Sequence, residues 1–351
     1  MAGISPITGI AAALLLAPAA WAQDTTRPPP LVIAGVTVVD VRAGALLPSR
    51  TVVVEDGRIA RVVPAEAAVA PPGAIVVDGT GRFLIPGLID MHTHPQPRDF
   101  PLYLAAGVTT LRVMAGNRQQ LRLREEVRTG RRLGPTLVVG GPIVESPPPA
   151  GYGSIVTASR RHVTTAEEGA REVEAQRAAG FDFIKIYNHL SADAYAGIVL
   201  AARERGMDVV GHVPFDVGIE GVLSNGMRTI EHGRGYLHML LPREINAATG
   251  PDLQSRILAW RHADTLKIPE IARLTAAAGV WNCPTFVVDR MLWPSERMIP
   301  FLAGPYAPLL NRPRQQMLMN RSRVQWASNF SEDDFRAADH AYAVNSRIEL
   351  Q

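Results

Sequence analysis

The sequence has 351 residues, with 36 basic and 33 acidic side chains, a formal charge of +3 and one cysteine. Its 47% hydrophobic and 20% charged content is that of a globular chain and excludes a largely disordered one. The lone Cys283 excludes an internal disulfide framework, and the near balance of charge gives no ground for a nucleic-acid partner.

The N-terminus reads as a processing signal. Residues Ile4 to Pro18 are apolar or small, and Ala20-Trp21-Ala22 matches a small-x-small cleavage site. This predicts a signal peptide over 1–22 and an exported protein, periplasmic or secreted. The apolar run is shorter than the roughly 20 residues of a membrane span, so no stable span is expected after cleavage. Residues 23–30 form a Pro-rich linker.

Residues 31–83 carry short β-like runs: Leu31 to Val41, Thr51 to Glu55, Ile59 to Val63 and Ala74 to Asp78. Asp56-Gly57 is a hairpin signal, and Asp78-Gly79-Thr80-Gly81 is a second turn. The segment reads as a small β-sheet unit.

From residue 84 to residue 351 the pattern is β-α alternation. Seven strands are predicted: Leu84 to Asp90, Thr109 to Val113, Thr136 to Gly140, Phe183 to Tyr187, Val209 to Val213, Thr229 to His232 and Val280 to Phe286. Helices are predicted over Arg118 to Arg132, Thr165 to Ala179, Ala192 to Arg205 and Pro269 to Ala278, with a Pro- and Gly-rich loop over Glu145 to Val163. The fold class expected is α/β, an incomplete (β/α)8 TIM-type barrel in which seven strands are visible. Residues 287–351 lack a recognisable eighth strand. Ser331-Glu332-Asp333-Asp334 reads there as a helix start.

Asp90-Met91-His92-Thr93-His94 closes the first strand. Positions i and i+2 of a strand share a face, so His92 and His94 can present two imidazoles side by side, a donor type suited to zinc. The alternative is a pair of ordinary polar residues at a strand end.

Lysine is rare here. Only Lys185 and Lys267 are lysines among the 36 cations, and Lys185 lies in Phe183-Ile184-Lys185-Ile186-Tyr187, a run of large apolar residues. Burial disfavours an ammonium, and a neutral amine can form a Schiff base or take up CO2 as a carbamate. The alternative is a lysine whose head reaches the rim.

His212 in Gly211-His212-Val213-Pro214 and His232 in Glu231-His232-Gly233 each close a further strand. The spacings from Lys185 to His212 and from His212 to His232 are 27 and 20 residues, about one β-α unit each. All these groups therefore fall at C-terminal strand ends, where barrel enzymes place their chemistry.

In this order the motifs resemble the amidohydrolase superfamily, near its exported imidazolonepropionase-like and metallo-dipeptidase-like members. The resemblance rests on Ile85 to His94, Ala106-Gly107-Val108-Thr109-Thr110, Ile184 to Tyr187, Gly211 to Pro214 and Ile230-Glu231-His232. It implies that residues 31–83 are half of a small β-sandwich. It implies a first metal on His92 and His94, a second on His212 and His232, and a carbamate of Lys185 bridging the two. The cofactors expected are two divalent metals, zinc by preference. The reaction implied is hydrolysis of a non-aromatic amide or peptide C–N bond by a metal-bridged hydroxide. The expected substrate is a small molecule or dipeptide. Tyr187, His189 and His238 lie past strand ends and are substrate-contact candidates. Oligomeric state is left open.

The same resemblance expects an aspartate at the end of an eighth strand, in a Gly-Thr-Asp context that the sequence does not contain. Asp333, Asp334 and Asp339 sit in a helix-like stretch and do not take its role. A C-terminally truncated, catalytically incompetent relative is therefore one alternative expectation. A lactonase on the same scaffold is another. Cys283 reads as a buried thiol.

Overall fold

A computed structural model of the chain describes residues 28–147, 160–233, 235–248, 258–286 and scattered positions between 302 and 347. The expected signal peptide, most of the linker and most of residues 287–351, Asp334 included, lie outside the described residues. No helix among the described residues is long and apolar enough to cross a membrane. The chain divides into two compact units, Met1–Pro86 and Gly87–Gln351.

The first unit is a five-stranded sheet of β1 (Leu31–Asp40), β2 (Ala45–Glu55), β3 (Arg58–Pro64), β4 (Ile75–Asp78) and β5 (Phe83–Leu84). The order is β3-β2-β1-β4, and β5 also pairs with β1. The β2–β3 connection is the expected hairpin. Asp56 and Gly57 both take positive φ, 50° and 70°, as a two-residue turn matching strand twist requires.

The second unit contains β6 (Leu88–Thr93), α1 (Phe100–Ala105), β7 (Val108–Val113), α2 (Arg118–Arg128), β8 (Thr136–Val139), β9 (Ile143–Glu145), β10 (Arg160–His162), α3 (Ala166–Ala178) and β11 (Phe183–Ile186). It continues with α4 (Ala192–Glu204), β12 (Asp208–Gly211), α5 (Gly218–Ser224), β13 (Thr229–Glu231), α6 (Tyr236–Leu240), α7 (Arg243–Ala248), α8 (Ile268–Ala277) and β14 (Trp281–Cys283). One parallel sheet runs β6-β7-β8 and another β10-β9-β11-β12-β13-β14. A parallel bridge from Gly140 to Phe183 leads from the end of β8 to β11. The mixed α/β architecture with parallel strands follows from sequential apolar runs, each covered by the helix after it.

Alternation sorts the two faces. Leu111, Val113, Leu137 and Val139 pack with Phe100 of α1 and Leu123 of α2. Ile184, Ile186, Val209 and Ile230 pack with Val173, Ile198, Val222 and Ile271 from α3, α4, α5 and α8. The opposite face therefore receives Arg112, Lys185, Thr229, Glu231 and Cys283. In a flat sheet β7 and β13, four strands apart, would lie about 19 Å from each other at roughly 4.8 Å per strand. Arg112 Nη2 nevertheless donates to Glu231 Oε1 over 2.7 Å. The strands curl so that the inward side chains of β7 and β13 meet.

Three sequence expectations change. The single strand over Leu84 to Asp90 is two strands: Leu84 pairs in the first unit, and β6 starts at Leu88, after Pro86. The expected loop over Glu145 to Val163 contains the end of β9 and all of β10, a three-residue parallel pair. Helix α2 stops at Arg128, ahead of Gly130 at φ 72°. An eighth strand of the sequential series is not seen among the described residues.

Candidate metal centre

The parallel strands deliver their C-terminal ends to one region. His92 lies within β6 and His94 just beyond it; Lys185 lies within β11, and His212 and His232 directly follow β12 and β13. Four imidazoles form a continuous series. Ring centroids are 5.5 Å apart for His94 and His92, 4.5 Å for His92 and His232, and 4.9 Å for His232 and His212. Tyr187 extends the series, stacked on His212 at 4.0 Å.

Local backbone geometry makes this approach feasible. At Gly211, φ is 140°, and a Cβ there would lie 2.2 Å from the Ile186 carbonyl oxygen, so only glycine lets β12 run this close to β11. His232 sits in the left-handed region at φ 62°, rare for a residue with a side chain. Its amide donates to the Cys283 carbonyl over 3.0 Å, which holds the turn.

His92 Nδ1 contacts Glu231 Oε2 at 2.5 Å, His212 Nδ1 contacts Asn188 Oδ1 at 2.7 Å, and His232 Nδ1 contacts Thr285 Oγ1. A ligand role for any of these rings would fall to Nε2. Metal-bound histidines show this arrangement, in which a partner on one nitrogen sets the tautomer and aim of the other. The donor set fits a divalent ion of the zinc class.

Lys185 is 2% exposed. Burial lowers the His92 pKa against the upward pull of Glu231 and favours a neutral ring. Burial alone would raise the Glu231 carboxyl. The His92 hydrogen bond and the charges of Lys185 and Arg112 outweigh it and hold that group at about 2.

The other candidates divide. Tyr187 touches His212 and carries the Arg160 guanidinium 4.6 Å from its ring centroid. His189 is half-buried and packs edge-on against Phe215 at 5.3 Å. His238 is exposed on α6 and pairs with Asn246. Asp333 is exposed and salt-bridged to Arg336.

Sequence reasoning missed Arg112, Asn188 and Thr285, and read Glu231 only as the residue before His232. Cys283 is half-buried, and its sulfur lies with His92 and Glu231 in a group whose ligand atoms fall within 4.8 Å of one another. Burial and the nearby Glu231 carboxylate push this thiol up to about 12.

No family model matches the chain. An adenine deaminase of Paracoccus denitrificans (strain Pd 1222) is 43% identical over 67 residues, 19% of this chain and 11% of that protein. A dihydroorotase of Pelotomaculum thermopropionicum is 48% identical over 64 residues, 18% of this chain and 14% of that protein. The matched segments are thus a small part of these relatives' lengths. Among solved structures, the bottromycin amidohydrolase aligns with a TM-score of 0.67 at 24% identity, over 92% of this chain and 65% of its own. A Xaa-Pro dipeptidase with methionine bound in its active site aligns with a TM-score of 0.55 at 15% identity, over 92% and 90%. These likenesses agree with the ordered histidine and lysine motifs: short segments match an adenine deaminase and a dihydroorotase, and the solved structures share the fold of this chain.

Proposed function

We propose that the chain is a metal-dependent hydrolase of amide-type C–N bonds in small molecules such as dipeptides or N-acyl compounds, on a (β/α) barrel scaffold. The observation that carries this is the series His94–His92–His232–His212, with Nδ1 of the last three engaged by protein partners. His92 and His94 would hold one ion, His212 and His232 a second, and Lys185, as a carbamate, would contribute to both. Carbamate formation would join the Lys185 nitrogen to CO2, with one proton released as the ammonium becomes the amine and a second as the N–C bond forms. Metal ions held here would polarise a substrate carbonyl and activate water. Tyr187, stacked on His212, would contact substrate. The dipeptide class draws support from the solved Xaa-Pro dipeptidase that shares the fold.

The test is metal analysis of the chain after incubation with zinc and bicarbonate, followed by a panel of dipeptides, N-acyl amino acids and lactones. Two zinc ions per chain and turnover of amides in preference to lactones are expected. Less than one ion per chain, or lactone turnover alone, would overturn the reading.

A further inference from the structure

Arg112 and Glu231 are buried charges that the metal ligand set does not use: 7% and 0% exposed respectively. Each polar atom of Glu231 is accounted for. Oε1 accepts from Arg112 Nη2 at 2.7 Å and from Thr229 Oγ1 at 2.7 Å, and Oε2 faces His92 Nδ1 at 2.5 Å. Arg112 also donates through Nε to the Met91 carbonyl at 2.6 Å and through Nη1 to Thr229 Oγ1 at 3.2 Å. Its guanidinium lies 5.8 Å from the Phe183 ring centroid.

One guanidinium therefore grips the Met91-His92 dipeptide at two points: the Met91 carbonyl directly, and the His92 ring through Glu231. A carboxylate accepts hydrogen bonds and donates none, so the proton shared with Glu231 belongs to His92 Nδ1. That leaves Nε2 as the basic nitrogen. We propose that Arg112 and Glu231 are positioning residues, which lock His92 in its Nδ1–H tautomer and aim Nε2 at the metal. The inference rests on the reading of His92 as a metal ligand.

The rival reading makes Glu231 itself a ligand, together with His92 and Cys283, whose donor atoms lie within 4.8 Å of one another. Three hydrogen bonds already occupy three of the roughly four lone-pair sites of the Glu231 oxygens, so a metal could reach only the remaining site on Oε2, the oxygen that faces His92. Arg112 and Thr229 hold the carboxylate by Oε1, and pulling it away from them would leave a buried charge poorly paired.

Two measurements on the full chain decide the matter. The first is a long-range proton–nitrogen NMR correlation of ¹⁵N-histidine-labelled protein without metal, with the His92 signal assigned from H92N. The Nδ1–H tautomer is expected in the wild type, and the Nε2–H tautomer would overturn the proposal without any further variant.

The second is zinc affinity by chelator competition. R112M and E231Q are expected to bind roughly 10- to 100-fold more weakly, the range for partners that orient a ligand. R112K, which keeps the charge, is expected to recover part of the loss, and C283S to leave affinity unchanged. Tighter or unchanged binding by R112M, or a loss in C283S equal to that in E231Q, would overturn positioning in favour of direct ligation. The double variant R112M/E231Q, which removes both charges together, serves if the single variants do not fold; it too is expected to weaken binding. If the wild type binds no zinc, the metal reading falls, while the NMR result still upholds or removes the tautomer lock.

Discussion

The Tyr187 and His212 rings lie 4.0 Å apart, centroid to centroid, and are inclined by only 29°. Aromatic pairs of this kind contribute about 0.5–1.5 kcal/mol beyond the area they bury. Here the stack restrains a ring whose Nδ1 is already held by Asn188. Y187A should therefore weaken zinc binding by roughly two- to tenfold, the factor that corresponds to that range. Y187F keeps the stack and should bind like the wild type. Equal losses in both variants would assign the effect to the hydroxyl rather than the ring.

Asn188 acts on the same histidine by a different route. Its side-chain oxygen accepts from His212 Nδ1 over 2.7 Å, and its backbone carbonyl accepts from the Phe215 amide over 2.9 Å. N188A should cost roughly 10- to 100-fold in zinc affinity, while N188D, which keeps an acceptor, should lose far less. Isothermal titration of the full chain with zinc separates the two. If N188A binds as tightly as the wild type, Asn188 does not orient the ring.

Much of the second unit was legible because strands covered on one face by helices and turned inward on the other read as apolar runs. Ile184-Lys185-Ile186 stood out because lysine is rare in this sequence. Leu111-Arg112-Val113 has the same pattern and the same inward charge, yet arginine is abundant here and hid it. Cys283 could not be placed beside His92 from sequence, because that proximity depends on the curl that carries β14 and β13 towards β6. Strands β9 and β10 were missed because three residues in a Pro- and Gly-rich stretch carry no periodicity. The hydrogen-bond partners Asn188 and Thr285 follow strand ends by two residues, and no local pattern marks them.

Helices α3 and α4 meet through two glycines. A Cβ at Gly197 would lie 2.0 Å from the Ala166 carbonyl oxygen, and one at Gly169 would lie 2.6 Å from the Ala194 carbonyl oxygen. Alanine is the better helix former by about 1 kcal/mol in an open helix. The collision is with backbone, which has no rotamer to change, so overpacking should win at about 1–3 kcal/mol. G197A should lower the urea midpoint through this collision, whereas an alanine at Gly206, which has open space around it but a φ of +63°, would lower it through backbone strain alone. A midpoint for G197A at or above that of the wild type would contradict this close crossing.

The start of α3 carries a pH-dependent cap. Thr165 Oγ1 accepts from the Glu168 amide, while Glu168 Oε2 accepts from the Thr164 amide at 2.7 Å, the Thr164 hydroxyl at 2.8 Å and the Thr165 amide at 3.3 Å. These bonds, led by that from the Thr164 amide, hold the Glu168 carboxyl below its ordinary value. A carboxyl depressed in the folded state contributes stability that is fully present above its unfolded pKa and is lost as pH falls through its folded pKa. The wild type should therefore be more stable than E168Q at neutral pH, and the difference should shrink as the solution is acidified through the carboxylate range. Urea unfolding of both chains from neutral to acid pH measures it. A difference that stays constant with pH would mean that Glu168 contributes through its shape and not through its charge. T165A removes the reciprocal half of the cap and should cost about 1 kcal/mol at every pH in the same series.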